Sequence, residues 1–175
     1  MSELLAGVGR GRITPRVGAQ LMGYAPARAA ESIHDELAVT AIGLAQGDTR
    51  ALLLTADVCV IRDPQSEGFR RRLSEATGVP FGSIILAATH THSGPAMRDT
   101  PGGAAVDEEY VAEVFEPGLL AAAREAVGSL RPARMGVGTV LSDVGVNRRQ
   151  IDRFGRIGLG QNPWGCRDPV LTVVS

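Results

Sequence analysis

A chain of 175 residues is long enough to bury a substantial core, and its formal net charge of −1 argues against general binding to nucleic acid or to anionic membranes. Aromatic residues make up 4% of the sequence, so stacking on bases or sugars is not expected to be its main mode of binding. No stretch approaches the ~18 consecutive apolar residues of a membrane-spanning helix, and the N-terminus lacks the pattern of a signal peptide.

We therefore expect a single domain over residues 1–175, located in the cytoplasm, with no nucleic-acid partner and no integral membrane segment. Cys59 and Cys166 lie far apart in the sequence and match no zinc-binding or redox spacing. Both are predicted to be reduced thiols with a structural role.

Residues 5–24 are rich in glycine. Gly7, Gly9 and Gly11 have the alternating spacing of a phosphate-binding loop, but the strand before it, the full glycine spacing and the helix after it are missing. We predict a loop-rich lead-in with a short strand. Gly23 lies in a second predicted loop, where the absence of a side chain permits close approach of the backbone to a neighbouring group.

Two apolar segments then predict neighbouring strands. Residues 35–45 alternate and end at a turn over 46–48, and residues 50–61 form a more continuous apolar run. Asp57 lies within the second run, where an unpaired carboxylate would be costly, so it needs a hydrogen-bonded turn, a histidine or a metal as partner. His34, which is followed by an aspartate, is interpreted as a surface or hydrogen-bonded structural residue.

A helix and a third strand follow. The dipeptide at 63–64, Asp-Pro, is typical of a helix start, and Gly78 is typical of a helix end. Residues 84–88 are uniformly apolar and predict a strand over 83–89 that is buried on both faces. Because β-α-β crossovers are right-handed and place their strands in parallel, we predict an α/β fold: a mixed, partly parallel sheet with a β-α-β unit and flanking helices.

The third strand ends in the chain's other two histidines, His90 and His92. In an extended chain, side chains two residues apart point to the same side at a spacing of ~6.6 Å. Two imidazoles so placed can converge on zinc, with bonds of about 2.0–2.1 Å. Asp57 is expected near the same edge of the sheet, as a ligand or as an acceptor for an imidazole N–H. The third ligand stays open between Asp57 and His34, and Ser93 lacks the context of a catalytic serine.

The rest of the chain predicts a loop at 96–106, a helix from 107 that is kinked or split at Pro117, and two strands, one after residue 132 and one at 168–174. Together with the earlier segments, these residues resemble the neutral/alkaline, non-lysosomal ceramidases. The resemblance covers essentially the whole chain and rests on these segments: AGVGRGRITP at 6–15, MGYA at 22–25, IHDELAVTAIGL at 33–44, LLTADVCVI at 53–61, THTHSGP at 89–95, VNRR at 146–149 and NPWGCRDPVLTVV at 162–174.

The resemblance implies a zinc-dependent amidase that cleaves the N-acyl bond of ceramide, giving sphingosine and a fatty acid in sphingolipid metabolism. It implies that His90 and His92 are zinc ligands. It also implies that Arg148 holds the substrate and the developing oxyanion and that Gly23 lies near the substrate. Asp57 is retained as a catalytic candidate. The partner is then a small-molecule amide or lipid.

In the family, a third histidine, a glutamate and a tyrosine complete the zinc site from regions beyond those matched here. The chain is therefore expected to be the N-terminal portion of a ceramidase-like catalytic domain, apparently truncated, with weak zinc binding and little activity. Two alternatives remain open. One is a non-catalytic α/β domain whose histidines are structural or share a metal across a homo-oligomer. The other is a hydrolase that uses Asp57, His90 and His92 alone.

Overall fold

The computed structural model describes residues 2–175, which divide into two units, the first ending at residue 133 and the second covering residues 134–175. The prediction of a single domain over the whole chain stays a prediction. No helix among residues 2–175 is long and apolar enough to cross a membrane.

A five-stranded mixed sheet forms the centre of the first unit. The strands of this unit are β1 (Leu4–Arg12), β2 (Gln20–Leu21), β3 (Arg28–Ala29), β4 (Ala38–Gln46), β5 (Thr49–Ala56), β6 (Ile84–Ala88) and β7 (Arg131–Pro132). The order in the sheet is β6-β5-β4-β1-β7, in which only β5 and β6 are parallel and the other neighbours are antiparallel. A separate pair, β2 and β3, is antiparallel.

Helices cover one face of this sheet. They are α1 (Gln65–Thr77), the single turn α2 (Glu108–Tyr110) and α3 (Glu116–Gly128), with a π-helical turn at Val111–Phe115 between the last two. Helix α3 packs on β1 and β4, and α1 packs on α3 and β6. The predicted α/β class, with its partly parallel sheet, β-α-β unit and flanking helices, is confirmed.

Helix α1 ends where the sequence predicts and starts slightly later. Gly78 has a left-handed φ of 70°, and its N–H donates to the carbonyl of Ser74 at 2.9 Å. Pro64 occupies the N-cap position, and Asp63 does not cap the helix with its side chain. The buried side of α1 carries Phe69 and Leu73.

Strand β6 is not buried on both faces, so that prediction is wrong. It is the edge strand of the sheet, and the helices lie on one side only, so Ile84 is 2% exposed and Ile85 60% exposed. The cross-strand register aligns Ile85 with three other exposed apolar residues: Leu53, Ile42 and Val8. A uniformly apolar strand sequence does not tell how many faces are covered.

The loop-rich lead-in predicted over residues 5–24 is wrong for its first part, since residues 4–12 form β1, a nine-residue strand inside the sheet; residues 13–24 are mostly loop and contain the short strand β2. The glycines of β1 allow the strand to pack closely against α3. A Cβ on Gly9 would lie 2.1 Å from the carbonyl oxygen of Ala122, and Gly7 and Gly11 face α3 just as closely. Glycine at alternate positions therefore lets the backbone of α3 approach the backbone of β1 more closely than any side chain would allow.

The second unit consists of two antiparallel pairs. Its strands are β8 (Val137–Leu141), β9 (Asn147–Ile151), β10 (Ile157–Asn162) and β11 (Val170–Val174), with β8 paired to β11 and β9 to β10. The strands predicted after residue 132 and at 168–174 correspond to β8 and β11.

The close approach of β1 and α3 makes Gly9→Ala strongly destabilising. The added methyl meets backbone atoms of Ala122 and Ala126, so the helix must move away from the sheet. Overpacking of this kind costs about 1–3 kcal/mol in unfolding free energy. Urea denaturation followed by circular dichroism measures the loss.

Gly128→Ala is the matched control, because Gly128 ends the same helix and a Cβ there would meet nothing within 4 Å. It should be neutral or slightly stabilising. Equal losses in the two variants would contradict the packing role of the β1 glycines.

Candidate metal centre

The carboxyl ends of β5 and β6 meet at one edge of the sheet. The register pairs Ala56 with Ala88, and hydrogen bonds continue beyond both strands. Thr89 N–H donates to the carbonyl of Ala56 at 3.0 Å, and His90 N–H donates to that of Val58 at 3.1 Å. The segment that follows β6 is therefore held against the segment that follows β5.

His90 does not continue the strand as an extended residue, contrary to the sequence argument. Strand β6 ends at Ala88, and His90 has a φ of 64°, in the left-handed region that costs a non-glycine residue about 1–2 kcal/mol. The imidazoles of His90 and His92 still come together, with ring centroids 5.2 Å apart and ring planes at 72°. The turn that follows the strand brings them together.

Cys59 fixes the orientation of His90. Nδ1 of His90 lies 2.8 Å from the carbonyl oxygen of Cys59 and 3.7 Å from its sulfur. A carbonyl oxygen only accepts, so Nδ1 carries the hydrogen and Nε2 presents a lone pair. A histidine that donates one ring N–H to a carbonyl is oriented to bind a metal through the other nitrogen.

One ligand atom from each of Cys59, His90 and His92 lies within 4.8 Å of the others. The thiol is buried and both imidazoles are exposed. Burial raises the pKa of the Cys59 thiol, and the nearby Arg98 guanidinium partly opposes this rise. The sequence argument missed Cys59 as a member of this group. The available signal was its position three residues after the last paired residue of β5, at the edge where His90 arrives.

His92 lies against the loop over residues 20–24 on one side of its exposed imidazole. That loop is tied to the turn after the histidines, with Met22 N–H donating to Gly94 and Ala96 N–H donating to Gln20. The imidazole lies directly against Gly23, whose φ is 100° and where a Cβ would be 2.3 Å from Nδ1 of His92. The close approach predicted for Gly23 is thus made to a histidine, and its role towards substrate stays a prediction.

Asp57 finds its partner in the backbone. Its Oδ2 accepts a hydrogen bond from Ala38 N–H at 3.0 Å, which satisfies a carboxylate next to the core. Asp57, His90 and His92 do not form a group of three donors within 4.8 Å among the described residues. The acceptor beside Nδ1 of His90 is the Cys59 carbonyl. A catalytic role for Asp57 stays a prediction.

Arg148 lies on β9 of the second unit, where its Nε donates to the carbonyl of Gly160 at 3.2 Å. Its predicted contact with substrate stays a prediction. His34, the remaining histidine, is 97% exposed at its side chain and lies 3.8 Å from Asp35. It is not a member of the Cys59, His90 and His92 group.

A cleft of about 860 Å³ opens beside the histidine turn. Thr91 and Ser93 of that turn form part of its wall, together with Tyr24, whose ring meets the His92 imidazole edge-on at 6.0 Å. His34 lines the same cleft. A volume of several hundred Å³ suits a small-molecule ligand.

Two solved ceramidase structures resemble this chain in fold. Neutral ceramidase from Pseudomonas aeruginosa superposes with a TM-score of 0.80 at 21% identity, and a ceramidase complexed with C2 superposes with 0.78 at 22%. Each match covers 100% of this chain and 29% of the ceramidase chain. This chain has a ceramidase-like fold. No protein-family model and no curated protein sequence matches it.

The contact between Gly23 and His92 predicts that Gly23→Ala displaces the imidazole. The new methyl would overlap the ring, and the left-handed φ adds about 1–2 kcal/mol of strain. We expect a changed NMR shift for the Cε1 proton of His92 and a zinc affinity lowered by about tenfold or more, by analogy with the loss of groups that orient a ligand.

Gly18→Ala is the control that separates backbone strain from steric contact with His92. Gly18 has a similar φ of 93°, and a Cβ there would meet nothing within 4 Å. It should lose similar stability while leaving the His92 resonance and zinc affinity unchanged. The Gly23 contact is refuted if both variants shift His92 alike.

Proposed function

We propose that this chain is part of a ceramidase-like amidohydrolase that hydrolyses the N-acyl amide bond of ceramide or a related amide, and that His90 and His92 supply two of its zinc ligands. The observation that carries the proposal is the convergence of the two imidazoles at the carboxyl edge of β5 and β6. This edge is where α/β sheets bind their ligands, and here the sheet belongs to a ceramidase-like fold.

The donor chemistry fits zinc. Imidazole nitrogen and cysteine sulfur are its preferred protein ligands, whereas magnesium and calcium prefer oxygen. When bound, zinc would supply an activated water and polarise the amide carbonyl. The protein's part is to orient the imidazoles: the Cys59 carbonyl fixes the tautomer of His90, and Gly23 and Tyr24 limit the positions of His92.

The cleft supports an amide substrate with an apolar portion. Its lining includes the apolar side chains of Leu21, Ile33 and Leu37. These can contact an alkyl chain, and Thr91 and Ser93 of the histidine turn offer polar groups to the amide. The Arg28 guanidinium lies 4.9 Å from the centre of the Tyr24 ring, which holds that ring beside His92.

Two further roles complete the proposal. Arg148 stabilises the negative charge that develops on the amide oxygen, since its guanidinium is permanently charged and its Nε is anchored on Gly160. Asp57 supports the site through its hydrogen bond to Ala38, which fixes the end of β5 from which Cys59 follows.

His90→Ala and His92→Ala are expected to abolish zinc binding, because each removes one of two imidazole donors. The measurement is zinc content by mass spectrometry after equilibrium dialysis of the 175-residue chain. His34→Ala is the control, since His34 is exposed and lies outside the donor group; it should retain zinc. Metal-free wild-type protein, or zinc retained in both site variants, would overturn the proposed centre.

Arg148→Ala should lower hydrolysis of an N-acyl sphingosine by about 10²–10³-fold, the usual cost of losing a donor to a developing oxyanion. Zinc content should not change, because Arg148 is not a ligand. Fatty-acid release, compared with and without a chelator, is the assay.

Arg149→Ala is the matched control, since neighbouring residues of β9 point to opposite faces of the strand. It should keep wild-type turnover. A role for Arg148 in the reaction is excluded if the Arg148 and Arg149 variants are equally active.

A further inference from the structure

We propose that the hairpin formed by β9 and β10 is a membrane-binding element that inserts its turn into the surface of an anionic lipid bilayer. The hairpin covers residues 147–162, and its turn covers residues 152–156. The proposal concerns the second unit alone and does not depend on the proposed hydrolase, so failure of one leaves the other in place.

The net charge of −1 for the whole chain hides an uneven distribution of charge. Residues 134–175 carry six arginines and three aspartates, and the hairpin carries four arginines and one aspartate, which gives it a formal charge of +3. A local cluster of this kind is attracted to the negative surface of an anionic bilayer. The argument from net charge against anionic membranes therefore applies to the chain as a whole and not to this hairpin.

One face of the hairpin is apolar and exposed. Ile151 and Ile157 are direct cross-strand partners, so their side chains lie on the same face. Leu159 lies two residues further along that face. The three residues are 67%, 66% and 84% exposed. Apolar residues clustered on one exposed face and bordered by charges are typical of a surface that contacts a protein or a membrane.

The turn presents an aromatic ring beside two arginines. Phe154 is 66% exposed, and the guanidinium carbons of Arg153 and Arg156 lie 4.7 Å and 5.3 Å from the centre of its ring. An aromatic ring can enter the boundary between head groups and acyl chains, while guanidinium groups stay at the level of the phosphates and form paired hydrogen bonds with them. The turn therefore combines the apolar and cationic groups that bind an anionic bilayer surface.

Asp152 holds the turn in this shape. One of its carboxylate oxygens accepts from the N–H of Phe154 at 2.8 Å and from that of Arg156 at 2.9 Å, and the other accepts from Nε of Arg156 at 2.9 Å. Because the turn is already ordered, insertion does not carry the entropy cost of ordering a flexible loop. Arg153 forms no ion pair within the part of the chain that the structure describes, so its charge is available to lipid phosphates.

Charge and shape favour a bilayer over the other partners. Two copies of the hairpin placed face to face would bring two formal charges of +3 together, which disfavours a dimer through this surface. A nucleic acid would pair with the arginines but would leave the aliphatic face of the hairpin in water. An anionic bilayer offers phosphates and acyl chains at one surface.

Vesicle sedimentation tests the proposal with the 175-residue chain. The probe is vesicles of equal parts phosphatidylcholine and phosphatidylglycerol, with pure phosphatidylcholine as the neutral control. We expect reversible binding with an association constant of about 10³–10⁴ M⁻¹, comparable to that of a single acyl anchor, and at least about fivefold weaker binding to neutral vesicles. Salt should weaken the binding, because it screens exposed charges.

Substitutions in the turn test which groups make the contact. Phe154→Ala should weaken binding to anionic vesicles about tenfold, because an inserted ring is lost, and Arg153→Gln about fivefold, because one charge is lost. Ile85→Ala and Arg124→Gln are the matched controls. Ile85 is a comparably exposed apolar residue on β6, and Arg124 is an exposed arginine on α3. Both control variants should bind as the wild type does.

Tryptophan fluorescence locates the contact without weakening it. Trp164 is the single tryptophan of the chain, and it follows the end of β10 that lies opposite to the turn. In a Trp164→Phe chain that also carries Phe154→Trp, anionic vesicles should shift the emission to shorter wavelength. The emission of Trp164 in the wild-type chain should shift less.

Several outcomes would refute the proposal. Binding that is absent, equal on neutral and anionic vesicles, or unchanged in both turn variants contradicts it directly. Tighter binding to duplex DNA than to anionic vesicles would assign the arginines to a nucleic acid. Self-association of the free chain that is lost with Phe154→Ala would assign the apolar face to a second copy. None of these outcomes bears on zinc binding by His90 and His92.

Discussion

The parallel pairing of β5 with β6 is the constraint on which the candidate centre depends. Its register places Ala56 opposite Ala88, and beyond the strands His90 N–H donates to the carbonyl of Val58 and His90 Nδ1 donates to that of Cys59. Because side chains alternate along a strand, a slip of one residue would turn the whole of β6 over and separate the His90 imidazole from the Cys59 carbonyl. The site is thus specified by hydrogen bonds within the sheet, before any side chain of the site is considered.

The register in turn depends on packing elsewhere. Helix α3 lies directly on the glycine face of β1, and β1 pairs with β4, which pairs with β5. Backbone contact at this distance requires small residues on both sides, and α3 supplies Gly118, Ala122 and Ala126. The alternating glycines that resemble a phosphate-binding loop in the sequence therefore hold the sheet in place on its helix.

The sequence predicted what depends on short-range patterns. It predicted the β-α-β unit, the end of α1 at Gly78, the proximity of the His90 and His92 imidazoles though not the turn that produces it, and the need of Asp57 for a partner. It missed what depends on distant residues. The packing role of the β1 glycines depends on α3, which lies more than a hundred residues later in the sequence. The contact of Cys59 with His90 depends on how the segments after β5 and β6 meet. A uniformly apolar β6 has the same sequence pattern whether one of its faces or both are covered.

The burial of Cys59, His90 and His92 gives the histidine turn an inner and an outer side. Cys59 is 5% exposed and packs in the interior, whereas both imidazoles are exposed. His90 keeps a left-handed backbone at a cost of about 1–2 kcal/mol, and hydrogen bonds to Val58 and Cys59 maintain it. Both imidazoles therefore lie on the outer side of this turn, whose residues Thr91 and Ser93 line the adjoining cleft, so the histidines are reached from solvent and not through the core.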